Sequence, residues 1–244
     1  MAARAEAGPC AACGAQNAAD HNFCKNCGNP LGTEESSGEL KLNFAERMRD
    51  RCLETLKTSS DNARAHFDLG LAYYHLGQTG NATRAFERCL QLEDAYPAAH
   101  FQLALCHYRR GAMGECAQAA RKAIELNPSS APAHFRLAIA LFHQARLDEA
   151  ARAFERTIGV DPEYVIAWYH LGVIRERQKN VDNAIACFEK VVEANPDDAS
   201  AHYHLGLCYE HQGKDGLAIS ALSRALELDP SDTAAAAALQ ELQR

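Results

Sequence analysis

Four cysteines near the amino terminus are spaced for metal chemistry. Cys10-Ala-Ala-Cys13-Gly14 and Cys24-Lys-Asn-Cys27-Gly28 form two C-x2-C-G knuckles separated by ten residues. Two cysteines on one tight turn can both reach a tetrahedral ion, and a four-thiolate set at this spacing is a zinc pattern rather than a disulfide framework. The glycine after each second cysteine accepts the backbone angle that such a turn requires. All four coordination positions are filled by protein, so the expectation is one structural Zn2+ with no place for substrate or water. His21 is read as a solvated side chain. Residues 8–32 are too few to make a core, and the metal must supply the folding energy.

The other residues capable of chemistry do not assemble into a reactive site. Eleven histidines are present, but His66, His100, His134 and His202 recur one per structural unit. Packed helices lie about 8 to 10 Å apart, whereas zinc needs nitrogens within about 2.1 Å, so these four cannot converge on one ion. Six cysteines lie beyond the knuckles, and neither Cys106 nor Cys208 has a basic neighbour or a helix start that would mark a low-pKa thiol. There is no phosphate-binding glycine loop, no serine elbow and no pair of carboxylates held in a defined pocket. The expectation is a protein that is not an enzyme.

The elements that would carry these residues follow from arithmetic. Leu69, Leu103, Leu137, Leu171 and Leu205 fall 34 residues apart, followed by Gly70, Ala104, Ala138, Gly172 and Gly206. The same register holds at Ala82, Cys116, Ala150, Ala184 and Ala218, and at Phe86, Ala120, Phe154, Phe188 and Leu222. Pro128, Pro162, Pro196 and Pro230 close the units. Small residues at fixed offsets with a period in this range are the signature of a helical solenoid. Numbered from 1 to 34, the repeats run 63–96, 97–130, 131–164, 165–198 and 199–232. Trp168, Leu171, Gly172, Ala184, Phe188 and Pro196 make repeat four resemble the tetratricopeptide family closely. Asp94 in place of the proline of repeat one, and Arg175 at position 11 of repeat four, depart from that pattern.

Each repeat reads as two helices. In repeat five Leu205, Leu207, Cys208 and Tyr209 lie on the first, His211-Gln-Gly213 makes the turn, and Ala218, Leu222, Ala225 and Leu226 form the apolar stripe of the second. Asp-Pro or Asn-Pro then ends it, because the residue before proline is pushed out of the helical region. The small residue at position 8 is expected to let two backbones approach closely. Stacked pairs need caps. Residues 233–244, with Leu239 and Leu242, read as a carboxy-terminal capping helix. Within 42–62, a helix over 42–57 with Met48, Cys52 and Thr55 at positions 20, 24 and 27 reads as a leading half repeat. The fold class is therefore all-α: a right-handed α-solenoid of helix-turn-helix repeats with a small four-cysteine module in front.

With Phe23 before its second knuckle and Leu31 after it, the front module resembles the zinc-ribbon family. Residues 1–7 read as a flexible start and 33–41 as a linker. No apolar run reaches the roughly 18 residues needed to cross a bilayer, and the first residues lack the apolar stretch of a secretory signal. Ten cysteines suit a reducing compartment, and the expectation is a cytoplasmic protein. The net charge is −7. Arg4 and Lys25 stand against Glu6 and Asp20 in the ribbon and its leader, which disfavours nucleic acid as its partner.

The tetratricopeptide resemblance implies that first helices face a concave groove, with positions 2, 5, 9, 12 and 13 pointing into it. Position 5 is then Phe67, Phe101, Phe135, Tyr169 and Tyr203; position 9 includes Leu71, Leu105, Ile139 and Val173; position 12 begins Tyr74, Tyr108 and Phe142. This is an apolar stripe of the kind that marks an interaction site when exposed. Arg109, Arg177 and the histidines at position 13, with Arg136, His170 and His204 at position 6, would add a basic edge, suiting an amphipathic helix or extended peptide with acidic residues. The chaperone-tail clamp of the family is not matched: Phe67, Leu71, Gln102, Pro132 and Arg136 occupy its positions, and only the arginine agrees. The expected function is a non-enzymatic adaptor holding a protein or peptide in the groove, with the ribbon as a second docking module. The alternatives are a self-assembling, homo-oligomeric scaffold in which a terminal segment of one copy, for instance helix 42–57, fills the groove of another, and a nucleic-acid-linked regulator that uses the ribbon. Purified full chain made without chelators is expected to contain one zinc. Cys24→Ser should lose it and leave the helical melting transition in place; a metal-free preparation, or loss of the helices, would contradict the reading.

Overall fold

The structure, a computed structural model, describes residues 38–243, with side chains from residue 44 onward. The ribbon, with Cys10, Cys13, Cys24 and Cys27, lies outside the described residues. Twelve helices make up the rest: α1 (Gly38–Thr58), α2 (Ala63–His75), α3 (Thr79–Leu92), α4 (Pro97–Arg109), α5 (Met113–Leu126), α6 (Ala131–His143), α7 (Leu147–Val160), α8 (Val165–Arg177), α9 (Val181–Ala194), α10 (Ala199–His211), α11 (Asp215–Leu228) and α12 (Thr233–Leu242). Ala63, Pro97, Ala131, Val165, Ala199 and Thr233 begin successive first helices, each 34 residues after the last. The described residues contain no strand and form an all-helical, tetratricopeptide-like solenoid in two units, the first ending at Ala145 and the second beginning at Arg146. α1 begins at Gly38 rather than at residue 42, because Glu39, Leu40 and Lys41 are strong helix formers.

Each first helix ends in the same way. Gly77, Gly111, Ala145, Lys179 and Gly213, all at position 15, take left-handed φ values of 74°, 74°, 57°, 59° and 68°. The amide after four of them closes back five residues, as in Gln78 to the Tyr73 carbonyl (2.9 Å) and Asn180 to that of Arg175 (2.9 Å). This Schellman closure satisfies the helix-end carbonyls and favours glycine. Ala145 and Lys179 hold the same angle at a steric cost.

Second helices end on extended residues. Asn127, Asp161, Asn195 and Asp229 have φ between −139° and −129°, as a following proline demands. Glu93 takes φ −145° and ψ 91° with Asp94 after it, so tertiary packing imposes the bend even without proline. The side chain at position 4 then ties this bend down. His66, His100, His134 and His202 place Nε2 2.9 Å from the carbonyls of Ser60, Asp94, Pro128 and Pro196, and Trp168 Nε1 donates to Pro162 at 3.0 Å. A carbonyl only accepts, so each histidine donates through Nε2. Position 4 is a ring N–H pinning the chain six residues back, whether histidine or tryptophan supplies it.

In the first unit, the core begins where α1 lays Met48 and Cys52 against α2 and α3. Phe67 stacks obliquely on Tyr96 at 4.9 Å and contacts Phe86 at 5.7 Å. In the second unit, Leu222, Ala225 and Ala235 are closed over by Leu239 and Leu242 of α12. Arg175 is accommodated because it pairs with Glu155 of α7 and donates to Gln178 at 2.9 Å.

Position 8 works differently from the expected backbone contact. A Cβ added at Gly70 would lie 2.5 Å from the Phe86 ring, and one at Gly172 would lie 2.8 Å from that of Phe188. The glycine makes room for a side chain at position 24. Where position 8 is Ala104, position 24 is Ala120, and both are fully buried. Gly70→Ala is therefore expected to destabilise the protein by about 1–3 kcal/mol through overpacking, outweighing the gain of about 1 kcal/mol in helix propensity. Gly159→Ala, a helical position with nothing within 4 Å of the added carbon, should stabilise by up to about 1 kcal/mol. Denaturant titration of both variants reads the opposite signs.

Candidate functional site

Within each unit, first helices of successive repeats touch: α2 with α4 and α4 with α6 in the first, α8 with α10 in the second. Their shared side is the inner face on which the expected binding stripe falls. The structure divides that stripe. Phe67, Leu71, Phe101, Phe135 and Ile139 are buried, with exposures from 0% to 8%, so they are core and not an exposed floor. The ring at position 5 turns inward: Phe67 fills the space between Phe86 and Tyr96, and Phe101 packs with Ala123 and Ala133. Tyr74, Leu105, Tyr108, Phe142, Tyr169, Val173 and Tyr203 remain half-exposed. Leu105 rests against the Phe101 cluster.

On the inner face of the first unit, cations lie on tyrosine rings. The Arg109 guanidinium carbon sits 3.6 Å from the Tyr74 ring centroid, and Nη1 donates to the Tyr74 carbonyl at 3.2 Å. Arg136 lies over Tyr108 at 4.5 Å, and His143 approaches the same ring at 6.0 Å. Such contacts contribute about 0.5–2 kcal/mol each. Burial pushes the Tyr74 hydroxyl up, with Arg109 opposing it, so the phenol stays neutral beneath its cation. Arg136 Nε is buried and bonded to nothing. At positions 2, 5, 6, 9, 12 and 13 of these three repeats, the sole carboxylate is Asp68, which is buried and paired with Arg64 at 3.1 Å.

The second unit answers its own charges. Position 12 changes from an aromatic residue to Glu176, which accepts from His204 Nδ1 at 2.8 Å, while the Tyr169 hydroxyl lies 3.3 Å from His204 Nε2. Burial first, then the nearby Asp198 and Glu176, pushes the Tyr169 hydroxyl up. His204 also stacks on Phe188 at 4.9 Å and 6°, and His170 on Phe154 at 5.4 Å and 12°. These two histidines are therefore packed against phenylalanines and do not form the expected basic edge; Arg177 is exposed. The role of position 6 as a stacking site was hidden because its residue type changes from Asp68 and Gln102 to Arg136, His170 and His204.

Among the described residues no group of three or more His, Cys, Asp or Glu is placed to hold a metal ion. No described helix is long and apolar enough to cross a membrane. The helix meant to fill a second copy's groove is committed elsewhere, since Ala45, Met48 and Cys52 of α1 are buried in its own array.

Comparison with known proteins agrees with this architecture. The tetratricopeptide-repeat family model matches residues 135–190 and 180–233, and the model for anaphase-promoting complex, cyclosome, subunit 3 matches 75–157. Residues 135–233 thus match the tetratricopeptide-repeat family, and the described array shares its fold. Among solved structures it is similar to YrrB, described as a TPR protein with an unusual peptide-binding site, at 16% identity and a TM-score of 0.72, over 78% of this chain and 97% of that one. MamA matches at 25% identity and 0.64, over 66% and 95% of the two chains. MamA 41-end from Desulfovibrio magneticus RS-1 matches at 19% and 0.59, over 79% and 97%. No curated protein matches the chain.

The cysteines of the array are structural. Cys52, Cys89, Cys106, Cys116, Cys187 and Cys208 are all buried and free, and burial pushes their thiols up to about 11 or 12. At pH 8 a thiol with a pKa of about 11 is ionised in roughly one molecule in a thousand, and the thiolate is the reactive form. Native protein at pH 8 should therefore leave these six unmodified by a thiol reagent, and denaturant should release them; mass spectrometry of the labelled peptides reads this directly. Because the folded-state pKa values are raised, the stability they contribute is complete below the ordinary value near 9 and is lost as pH rises towards 11 and 12. Alkaline melting curves should fall over that window.

Proposed function

We propose that this protein is a non-catalytic adaptor whose first unit binds a peptide of a partner protein along its inner face. The observation that carries the reading is the row of half-exposed Tyr74, Leu105, Tyr108 and Phe142 on the shared side of α2, α4 and α6. Apolar side chains aligned on one face can be desolvated together by one extended or helical segment. The peptide-binding site named for YrrB adds support by analogy of fold. In the second unit, Val173 stands at position 9 as Leu105 does, Tyr169 and Tyr203 stand at position 5, and Glu176 and His204 are held by each other.

The ribbon is proposed as a separate docking module in a reducing, cytoplasmic setting, on the chemistry of its four thiol donors. Self-assembly through α1 is not proposed, since its apolar face is already covered.

Peptides selected on the full chain from a displayed random library test the main reading. Binders should lose at least tenfold in affinity for Tyr108→Ala and for Phe142→Ala. Truncating a half-exposed ring should lower stability by only about 1 kcal/mol, keeping the helical signal intact. Selected peptides that bind both variants as well as the parent would overturn the assignment.

A further inference from the structure

We propose that the occupant of the first unit's inner face is an extended peptide carrying two carboxylate side chains about four residues apart, one for Arg109 and one for Arg136, with an apolar residue between them over Leu105. This rests on the reading of that face as a peptide site and adds the chemistry of the ligand.

Two guanidinium groups face this surface without a carboxylate. Arg109 lies on Tyr74 and donates to a backbone carbonyl. Arg136 lies on Tyr108, its Nε buried and bonded to nothing. Several arginines have acidic partners within the protein: Arg64 with Asp68, Arg88 with Asp61, Arg175 with Glu155, and Arg224 with Asp197 and Glu227. What marks the inner-face pair, in a chain whose net charge is −7, is that both cations are held on rings of one face. A guanidinium held flat on an aromatic ring is already oriented, so little side-chain entropy is lost when its edge meets a carboxylate in a fork of two hydrogen bonds. With Nε enclosed, the terminal nitrogens of Arg136 are the donors that an incoming group can use.

Geometry sets the spacing. The guanidinium groups of Arg109 and Arg136 lie on Tyr74 and Tyr108, which occupy the same position, 12, of adjacent first helices. The lateral step between packed helices is about 8–10 Å. Carboxylates at i and i+4 start about 13 Å apart on one side of an extended chain at about 3.3 Å per residue, and two glutamate side chains converge from there onto that step. The two cations stand singly on separate rings, which suits two carboxylates better than one phosphate dianion seeking a cluster of arginines. The second unit offers no such pair, because Glu176 already occupies His204.

The test uses labelled, end-blocked nonapeptides and the full chain in fluorescence anisotropy. One peptide carries glutamates at positions i and i+4 around a central leucine, a second replaces both glutamates by glutamine, and a third places the glutamates side by side. The first should bind at least tenfold more tightly than either control, and its affinity should fall with added salt. Arg109→Gln and Arg136→Gln should each reduce binding of the first peptide at least fivefold and leave the glutamine peptide unchanged, while thermal melting confirms an intact fold. Equal binding of the glutamate and glutamine peptides, or no loss in both arginine variants, would overturn the acidic ligand. If Tyr108→Ala still abolishes capture of selected library peptides in that case, the peptide-binding reading stands without it. A serine-phosphorylated peptide that outcompetes the diglutamate peptide would likewise overturn the carboxylate assignment.

Discussion

Within the pairs α2–α3, α4–α5, α8–α9 and α10–α11, packing depends on one shared volume. Position 8 of the first helix and position 24 of the second face each other, and what one gives up the other takes. Gly70 admits the whole ring of Phe86, Gly172 that of Phe188, and Gly206 the branched end of Leu222, whereas Ala104 is matched by Ala120. The four large side chains at position 24, Phe86, Phe154, Phe188 and Leu222, are all fully buried. At Gly70, Gly172 and Gly206 a side chain seated this deeply resists an added methyl group, so helix propensity is sacrificed there; repeat three carries Ala138 at position 8 and Phe154 at position 24. The spacing of the two helices, and with it the surface they present, follows from that fit.

Two backbone devices then pass the geometry from one repeat to the next. The left-handed residue at position 15 turns the chain between first and second helix, and Lys179 holds φ 59° where three other repeats have glycine. The ring N–H at position 4 fastens the extended bend between repeats to the start of the next helix. Trp168 makes the bond that histidine makes in its neighbours, so what is required is a planar donor of the right reach. The histidines that invite a metal reading are structural for this reason, each paired with a carbonyl of its own chain.

Much of this was legible in the sequence because it is periodic. The 34-residue register located the helix pairs, the small residue at position 8 and the bends at Pro128, Pro162, Pro196 and Pro230. Depth was not legible. Periodicity tells which side of a helix a residue occupies, but Phe67 and Leu71 lie at the boundary between the inner face and the core, and the rings and α1 around them decide that both are enclosed. Nor could spacing show the stacks of Arg109 on Tyr74 or Arg136 on Tyr108. Those contacts join adjacent repeats through long side chains whose direction depends on rotamers rather than on register.

The two units separate through a few residues on an otherwise constant frame. At position 12 the series runs Tyr74, Tyr108, Phe142, Glu176 and Glu210; at position 6 it runs Asp68, Gln102, Arg136, His170 and His204. Where an aromatic ring at position 12 meets an arginine from the next repeat, the cation is supported by the ring's negative face and keeps its hydrogen-bonding edge. Where a glutamate meets a histidine, the donor is used up within the protein. A carboxylate supplied from outside therefore has a free counterpart in the first unit, whereas at Glu176 it would have to compete with a hydrogen bond already formed at 2.8 Å. The repeat frame stays the same in both, and the exchange of a ring for a carboxylate changes which of them can recognise an acidic ligand.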